Sequence, residues 1–235
     1  MLPIWLIDCI HDITLKRKTD TMKKLVLSIT ALFCSLGVFA QQEMGFGLKA
    51  GVNFPKYNLS RNGDNISSSG STTNFHVTAF LDAPLVENWF YVQPGVSLQG
   101  KGGKIWENQY GEYKQNTMWI EVPVNFVAKF PTANAGSFFL GAGPYIAFGI
   151  SGKNKYESDN GGSVEQPIPD FEFGGDGALK STDFGLNFIG GFEFSSGLMI
   201  HGGYGMGLTN LDTNLDNTDY KRTNRVWTVG LGFRI

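Results

Sequence analysis

Three features of the sequence predict an all-β fold, an eight-stranded antiparallel up-and-down barrel. The carboxy-terminal segment, Arg225–Ile235, alternates between apolar residues and small or polar ones, and it ends on the apolar face. The same alternation recurs in seven segments upstream. Gly accounts for 31 of 235 residues, and no apolar run reaches the length of about 18 residues that a membrane-spanning helix needs. Because successive side chains of a strand point to opposite faces, each segment predicts a strand with one apolar face.

The first four segments follow Met44, and each has an apolar side chain at nearly every second position. The positions between them are small or polar, such as Lys49, His76, Gln93 and Glu121. Each segment is long enough for a tilted strand to cross the core of a bilayer. The apolar positions run over Phe46–Phe54, Phe75–Leu81, Phe90–Leu98 and Ile120–Phe130.

The last four segments have the same pattern with more glycine on the second face. Gly141, Gly185, Gly203 and Gly232 stand opposite large apolar residues. Small inward side chains suit a crowded interior, which eight strands leave just wide enough to be filled. The apolar positions run over Phe138–Phe148, Phe184–Phe194, Leu198–Leu208 and Trp227–Ile235.

The connections between the segments alternate between tight and long. Short turns at one rim and long loops at the other are typical of outer-membrane barrels, and an even strand number puts both chain ends at the short-turn, periplasmic rim. A soluble barrel of the lipocalin type would also alternate, but its polar face would carry more Lys and Glu than this chain has. The tight connections are Leu85–Asn88, Pro131–Gly136 and Ser195–Gly197, and the long, extracellular ones are Lys56–Thr73, Lys101–Asn116, Ser151–Lys180 and Asn210–Asn224.

Residues 22–40 predict a secretory signal peptide. Lys23 and Lys24 precede an apolar stretch that ends in Val38-Phe39-Ala40, so Gln41 is the expected mature amino terminus. Residues 1–21 have no place in this scheme and suggest an over-extended start, with a long basic region before the apolar stretch as the alternative. The predicted barrel domain is therefore 41–235, and both cysteines lie before it.

Several charged residues fall on the predicted inner face. We expect Asp82, Lys129, Glu193, His201 and Arg234 to lie near the periplasmic end. Since a charge removed from water is costly unless it is paired, these residues should form one structural network of salt bridges and hydrogen bonds that closes the lumen. A pathway for protons or ions is the alternative interpretation.

The sequence provides little support for catalysis, a cofactor or a metal. Asp212-x-Asn214-x-Asp216 resembles the start of a calcium loop, but Asn217 replaces its glycine and Thr223 its final glutamate. His76 and His201 have no serine and carboxylate partner at a recognisable spacing. Basic residues outnumber acidic ones before Gln41, so the barrel domain is more acidic than the whole chain, whose net charge is −2. We therefore predict no enzyme activity, no cofactor, no metal site, no nucleic-acid partner and no identified small-molecule substrate.

Five short motifs make the chain resemble the PorT-like outer-membrane β-barrel family of the Bacteroidetes. The resemblance implies a cell-envelope protein in the outer membrane, in contact with its lipid, and brings no catalytic residues. Ile235 differs from the aromatic residue that is commoner at the end of such chains. The motifs are Gly47–Asn53, Ile120–Val124, Gly141–Tyr145, Tyr204–Asn210 and Val229–Arg234.

The leading functional hypothesis is a non-enzymatic barrel whose extracellular loops contact envelope or surface partners and whose lumen is plugged. The first alternative, which the resemblance implies, is a component of a transport or protein-secretion system of the type IX kind. The second is a barrel hydrolase. The sequence names neither the partner nor the oligomeric state.

Overall fold

A computed structural model describes residues 44–235 except for 63, 87–88, 109–110, 133–134, 159–162, 168–172, 174–178 and 213–219. The predicted signal peptide, the segment before it and the predicted start at Gln41 lie outside the described residues. The described part of the chain contains no apolar helix of membrane-spanning length.

Ten β-strands make up the described chain, and eight of them are long. They are β1 (Gly45–Arg61), β2 (Asp64–Ser68), β3 (Asn74–Val86), β4 (Phe90–Asn108), β5 (Gly111–Thr132), β6 (Gly136–Ser158), β7 (Ser163–Pro167), β8 (Thr182–Phe194), β9 (Leu198–Gly207) and β10 (Tyr220–Arg234).

The eight long strands form a closed antiparallel ring, which confirms the predicted fold. The order around the ring is β1-β3-β4-β5-β6-β8-β9-β10, and β10 pairs with β1 from Gly47↔Arg234 to Arg61↔Tyr220. The short strands β2 and β7 only extend β1 and β6 at the rim far from the chain ends. Closure matters because backbone groups in hydrocarbon have no water to bond, and a ring leaves no unpaired edge.

The two faces of the wall have the predicted polarity. Phe46 and Leu231, on the predicted outer face, are 65% and 59% exposed, whereas Trp119 and Asp183, on the inner face, are fully buried. The exposed apolar side chains therefore form a belt that faces lipid.

The long connections at the extracellular rim are more regular than predicted, because their described parts contain much β-structure. Lys101–Asn108 continues β4 and Gly111–Asn116 begins β5, so this connection is a projecting hairpin. The segment after Lys56 likewise contains the end of β1 and all of β2. Beyond the membrane neither face of a strand meets hydrocarbon, and the regular apolar alternation that marks a membrane strand is therefore missing there.

Candidate functional site

Two groups of charged side chains occupy the interior of the barrel. Glycines on the inner face make room for large neighbours: a Cβ added to Gly47 would lie 2.2 Å from the Phe80 ring, and one added to Gly149 would lie 2.3 Å from the Phe173 ring. Charged and polar side chains occupy much of the remaining space.

The first group, the periplasmic network, consists of Asp82, Lys129, Glu193 and Arg234. Lys129 Nζ lies 2.6 Å from Asp82 Oδ2 and 2.8 Å from Glu193 Oε2. Arg234 Nε donates to Glu193 Oε1 at 2.5 Å and lies 3.6 Å from Asp82 Oδ2. Each carboxylate therefore contacts two cations, which offsets the cost of taking charges out of water.

Lys49 and Gln93 extend this network toward the middle of the barrel. Gln93 Nε2 donates to Asp82 Oδ1 at 2.9 Å, and Lys49 Nζ donates to Gln93 Oε1 at 3.3 Å. The Lys49 ammonium also lies 4.1 Å from the centre of the Phe80 ring, a favourable cation–π distance.

The structure brings together four of the five residues predicted for this network, and His201 is the exception. Its ring packs edge-on against His76 with the centroids 5.4 Å apart. His76 Nδ1 donates to Asn53 Oδ1 at 2.7 Å, because Asn53 uses its amide nitrogen to donate to Gln99. The two histidines lie farther from the periplasm than the network, and His201 is two residues beyond Met199, the partner of Glu193 on β9. They lie beside Gly51 and Gly230, where the absence of a side chain leaves room for both rings.

The second group lies at the extracellular end and centres on Lys101. Its Nζ lies 2.9 Å from Glu121 Oε2 and 3.2 Å from Asp183 Oδ2. Tyr145 and Asn224 also donate to Asp183 Oδ2, at 3.1 and 2.9 Å. The sequence analysis missed Lys101 because it put this residue at the start of a loop. Continuing the inward positions of β4 by two residues from Gln99 would have found it.

An apolar lid covers the second group. Trp119 packs against Phe173 with their ring centroids 5.0 Å apart, and Phe173 comes from the connection between β7 and β8. Connections at the extracellular rim therefore reach back over the mouth. The buried members of this cluster are Tyr57, Trp119, Tyr145, Ala147, Leu179 and Leu211.

A small polar chamber of about 70 Å³ lies between the two groups. Two buried atoms of residues that line it, Asn125 Oδ1 and His201 Nε2, have no hydrogen-bond partner among the described residues. Such a volume admits a few water molecules but no drug-sized ligand. Across the described part of the chain, no group of three or more His, Cys, Asp or Glu side chains is arranged to hold a metal ion. Most of the calcium-like motif lies outside the described residues, and Asp212 pairs with Arg222.

At the extracellular rim β4 and β5 form one projecting hairpin, and β6 begins the next one with β7. The projecting ends of β4, β5 and β6 lie side by side and present three aromatic residues in register. Trp106 lies opposite Tyr113, and Tyr113 lies opposite Tyr156. The Trp106 and Tyr113 rings are nearly parallel with centroids 6.3 Å apart, and Tyr156 is 5.8 Å from Trp106. We call these three residues the aromatic row. Trp106 remains 42% exposed, so part of the row is open to solvent.

The opposite face of these hairpins carries ion pairs. Glu157 accepts from Lys114 at 2.7 Å and lies 2.8 Å from Lys155 Nζ. These hydrogen bonds, that from Lys114 first, lower the pKa of the Glu157 carboxyl to about 2.

We expect Glu157 to stay ionised well into the acid range. A lowered folded-state pKa stabilises the hairpin above the ordinary pKa of glutamate, and this contribution is lost as the pH falls toward about 2. NMR titration of the Glu157 carboxyl should therefore give a midpoint clearly below its ordinary value, and Lys114→Met should raise it. An ordinary midpoint in the wild-type protein would show that the ion pairs do not persist in solution.

The chain matches one family model and several solved structures. Residues 39–213 match the model described as outer membrane protein beta-barrel domain. No curated protein matches the chain.

Three of the matching structures are outer-membrane or surface proteins of bacteria. Ail, the attachment invasion locus protein of Yersinia pestis, is 15% identical over 83% of this chain and 100% of its own, with a TM-score of 0.40. Neisserial surface protein A is 13% identical over 83% and 99%, with a TM-score of 0.42. The outer membrane protein OprG of Pseudomonas aeruginosa is 10% identical over 81% and 95%, with a TM-score of 0.40.

Proposed function

The chain belongs to the outer membrane protein beta-barrel domain family, and from this premise we propose that it is a non-enzymatic surface-interaction protein with a plugged lumen. The barrel lies in the outer membrane with its apolar belt in lipid. In this proposal the projecting hairpins of β4, β5 and β6 contact a partner in the envelope or outside the cell.

The aromatic row is the observation that carries the proposal. Trp and Tyr are enriched among the residues that dominate binding energy at protein interfaces. Trp106, Tyr113 and Tyr156 stand side by side on paired strands, so little conformational entropy remains to be lost when a partner binds. The ion-paired and lidded interior supports the second part of the proposal, because the described residues at the middle of the barrel surround a chamber of only about 70 Å³.

A component of a transport or type IX-like secretion system is the second candidate, favoured by the PorT-like resemblance of the sequence motifs. It would need either an open path through the lumen or stable association with secretion proteins. A barrel hydrolase is less favoured, since the described contacts of His76 are with Asn53 and His201 and include no nucleophile.

We expect the double variant Trp106→Ala/Tyr113→Ala to lose partner capture while keeping the fold. Cross-linking and pull-down from intact membranes would compare it with the wild type. Trp89→Ala is the matched control, since Trp89 is 57% exposed at the opposite, periplasmic rim. Equal capture by all three proteins would contradict a role for the aromatic row, and capture of secretion proteins would favour the second candidate.

Purified wild-type protein in planar bilayers should show little conductance. The periplasmic network and the apolar lid each obstruct the axis, and large, stable, ohmic openings would therefore refute the plugged lumen and favour transport.

A further inference from the structure

The projecting ends of β4, β5 and β6 separate charged from uncharged side chains. The charged side chains described there lie on the face that continues the outer wall, and they are Lys104, Glu112, Lys114, Lys153, Lys155 and Glu157. The other face continues the inner wall beyond Lys101, and we call it the aromatic face. Its described side chains are all uncharged, and they are Trp106, Tyr113, Gln115, Asn154 and Tyr156.

The aromatic face looks over the mouth of the barrel and away from the lipid beside it. Tyr113 and Gln115 lie on the same face of β5 as Trp119, which is buried inside the barrel. The Tyr57 hydroxyl, from β1, donates to Gln115 Oε1 at 2.9 Å. On a strand tilted by roughly 40°, Tyr113 lies about 18 Å above Ile120 of the apolar belt, which is beyond the headgroup layer. The aromatic face is therefore open to extracellular molecules.

The aromatic face combines exposed rings with groups that can form hydrogen bonds. Trp106 is 42% exposed, and its ring centroid lies 6.3 and 5.8 Å from those of Tyr113 and Tyr156, so the three rings form one compact patch. Beside this patch Gln115 Nε2 donates to Asn154 Oδ1 at 3.4 Å. Among the described residues, none accepts a hydrogen bond from Trp106 Nε1 or Asn154 Nδ2, so both donors are available to a ligand.

We propose that the aromatic face binds a neutral sugar chain of an extracellular glycan. This inference rests on the proposed surface-interaction function and names the chemical class of its partner. One side of a pyranose ring presents C–H groups, which pack on the electron-rich face of an aromatic ring. The hydroxyl groups around the sugar accept from indole and amide N–H groups such as those of Trp106 and Asn154.

Two features of the aromatic face favour a neutral chain of several sugars. An acidic sugar would lose part of its hydration without gaining a cation, because no charged side chain is described on this face. Neighbouring strands are about 4.8 Å apart, which is close to the repeat of an extended chain of pyranose rings. Successive sugars can therefore meet side chains on successive strands.

The experiment measures sugar binding by the full chain purified from outer membranes and by three variants. Trp106→Ala removes the exposed ring, and Asn154→Ala removes the available amide. Lys155→Gln is the matched control, because it changes the residue next to Asn154 on the opposite face of β6. Each protein in detergent micelles is titrated by calorimetry with neutral hexasaccharides of glucose, mannose, galactose and N-acetylglucosamine, and with hexagalacturonate as the acidic probe.

We expect the wild type and Lys155→Gln to bind one or more neutral hexasaccharides with the same affinity. Trp106→Ala should weaken this binding by about tenfold, and Asn154→Ala by a smaller factor. The exchanged residues lie outside the bilayer core, so all variants should fold.

The inference is overturned if the wild type binds no neutral hexasaccharide or prefers the acidic probe. Equal losses for Trp106→Ala and Lys155→Gln would also overturn it. If no sugar binds but the pull-down still captures a protein through Trp106 and Tyr113, this inference fails and the proposed function stands. If neither a sugar nor a protein depends on these rings, both fail.

Discussion

Truncation of Glu193 to alanine is expected to lower the free energy of unfolding by about 3–5 kcal/mol. Glu193 holds Lys129 at 2.8 Å and Arg234 at 2.5 Å, and both Glu193 and Lys129 are buried. Without this carboxylate Asp82 alone faces the two cations. Arg234 is 37% exposed, so water reduces its share of the cost and most of the loss comes from Lys129.

Reversible unfolding in urea, with the protein refolded into vesicles, measures this loss. Glu193→Gln, which keeps the volume and one of the two acceptor oxygens, should cost less than the alanine variant. Glu112→Ala removes a carboxylate that has cationic partners on the exposed hairpin, and it should cost about 1 kcal/mol or less. A loss for Glu193→Ala no larger than that for Glu112→Ala would mean that water in the lumen replaces the missing carboxylate.

Phe126→Arg should lower the free energy of unfolding by about 2–4 kcal/mol in a bilayer. Phe126 points outward from the lipid-facing part of β5, is 46% exposed and stacks on Phe90 with a centroid distance of 6.5 Å. The cost arises because the guanidinium must remain in hydrocarbon or distort the bilayer around it.

Asn116→Arg is the matched control, since it introduces the same side chain on the same face of the same strand near the membrane surface. The expected cost there is about 0–1 kcal/mol. Equal costs at the two positions would show that Phe126 does not lie near the middle of the bilayer.

The sequence predicted which face each side chain takes, because alternation on a strand buried in lipid has to be regular. It therefore placed Lys129, Glu193 and Arg234 inward and Phe126 outward, as the structure has them. The sequence did not predict the relative height of residues on different strands, because the stagger of a barrel is a property of the closed sheet. His201 shows this: it points inward as expected but lies above the periplasmic network, beside His76.

The projecting hairpins could not be predicted from apolar alternation. Lys114 and Tyr113 are adjacent on β5 and occupy opposite faces, yet neither face meets hydrocarbon there. Strand pairing in that region depends on cross-strand partners such as Trp106 and Tyr113, and their contact becomes apparent only when the two strands are aligned in register. Lys101 was missed for the same reason, since it lies where the lipid-facing pattern ends.

The pairing of β1 with β10 also governs how this barrel must assemble. Gly47 and Arg234, which pair with each other, lie near opposite ends of the described chain. The ring therefore cannot close until β10 is available to pair with β1. Until then β1 keeps an unpaired edge whose amide and carbonyl groups have no partners in hydrocarbon. Closure of so long a loop is also slow because its entropic cost precedes any gain. We therefore expect the ring to close only after β10 has been synthesised and exported, and a chain that lacks β10 to expose the edge of β1 to strands of other molecules instead of forming a smaller barrel.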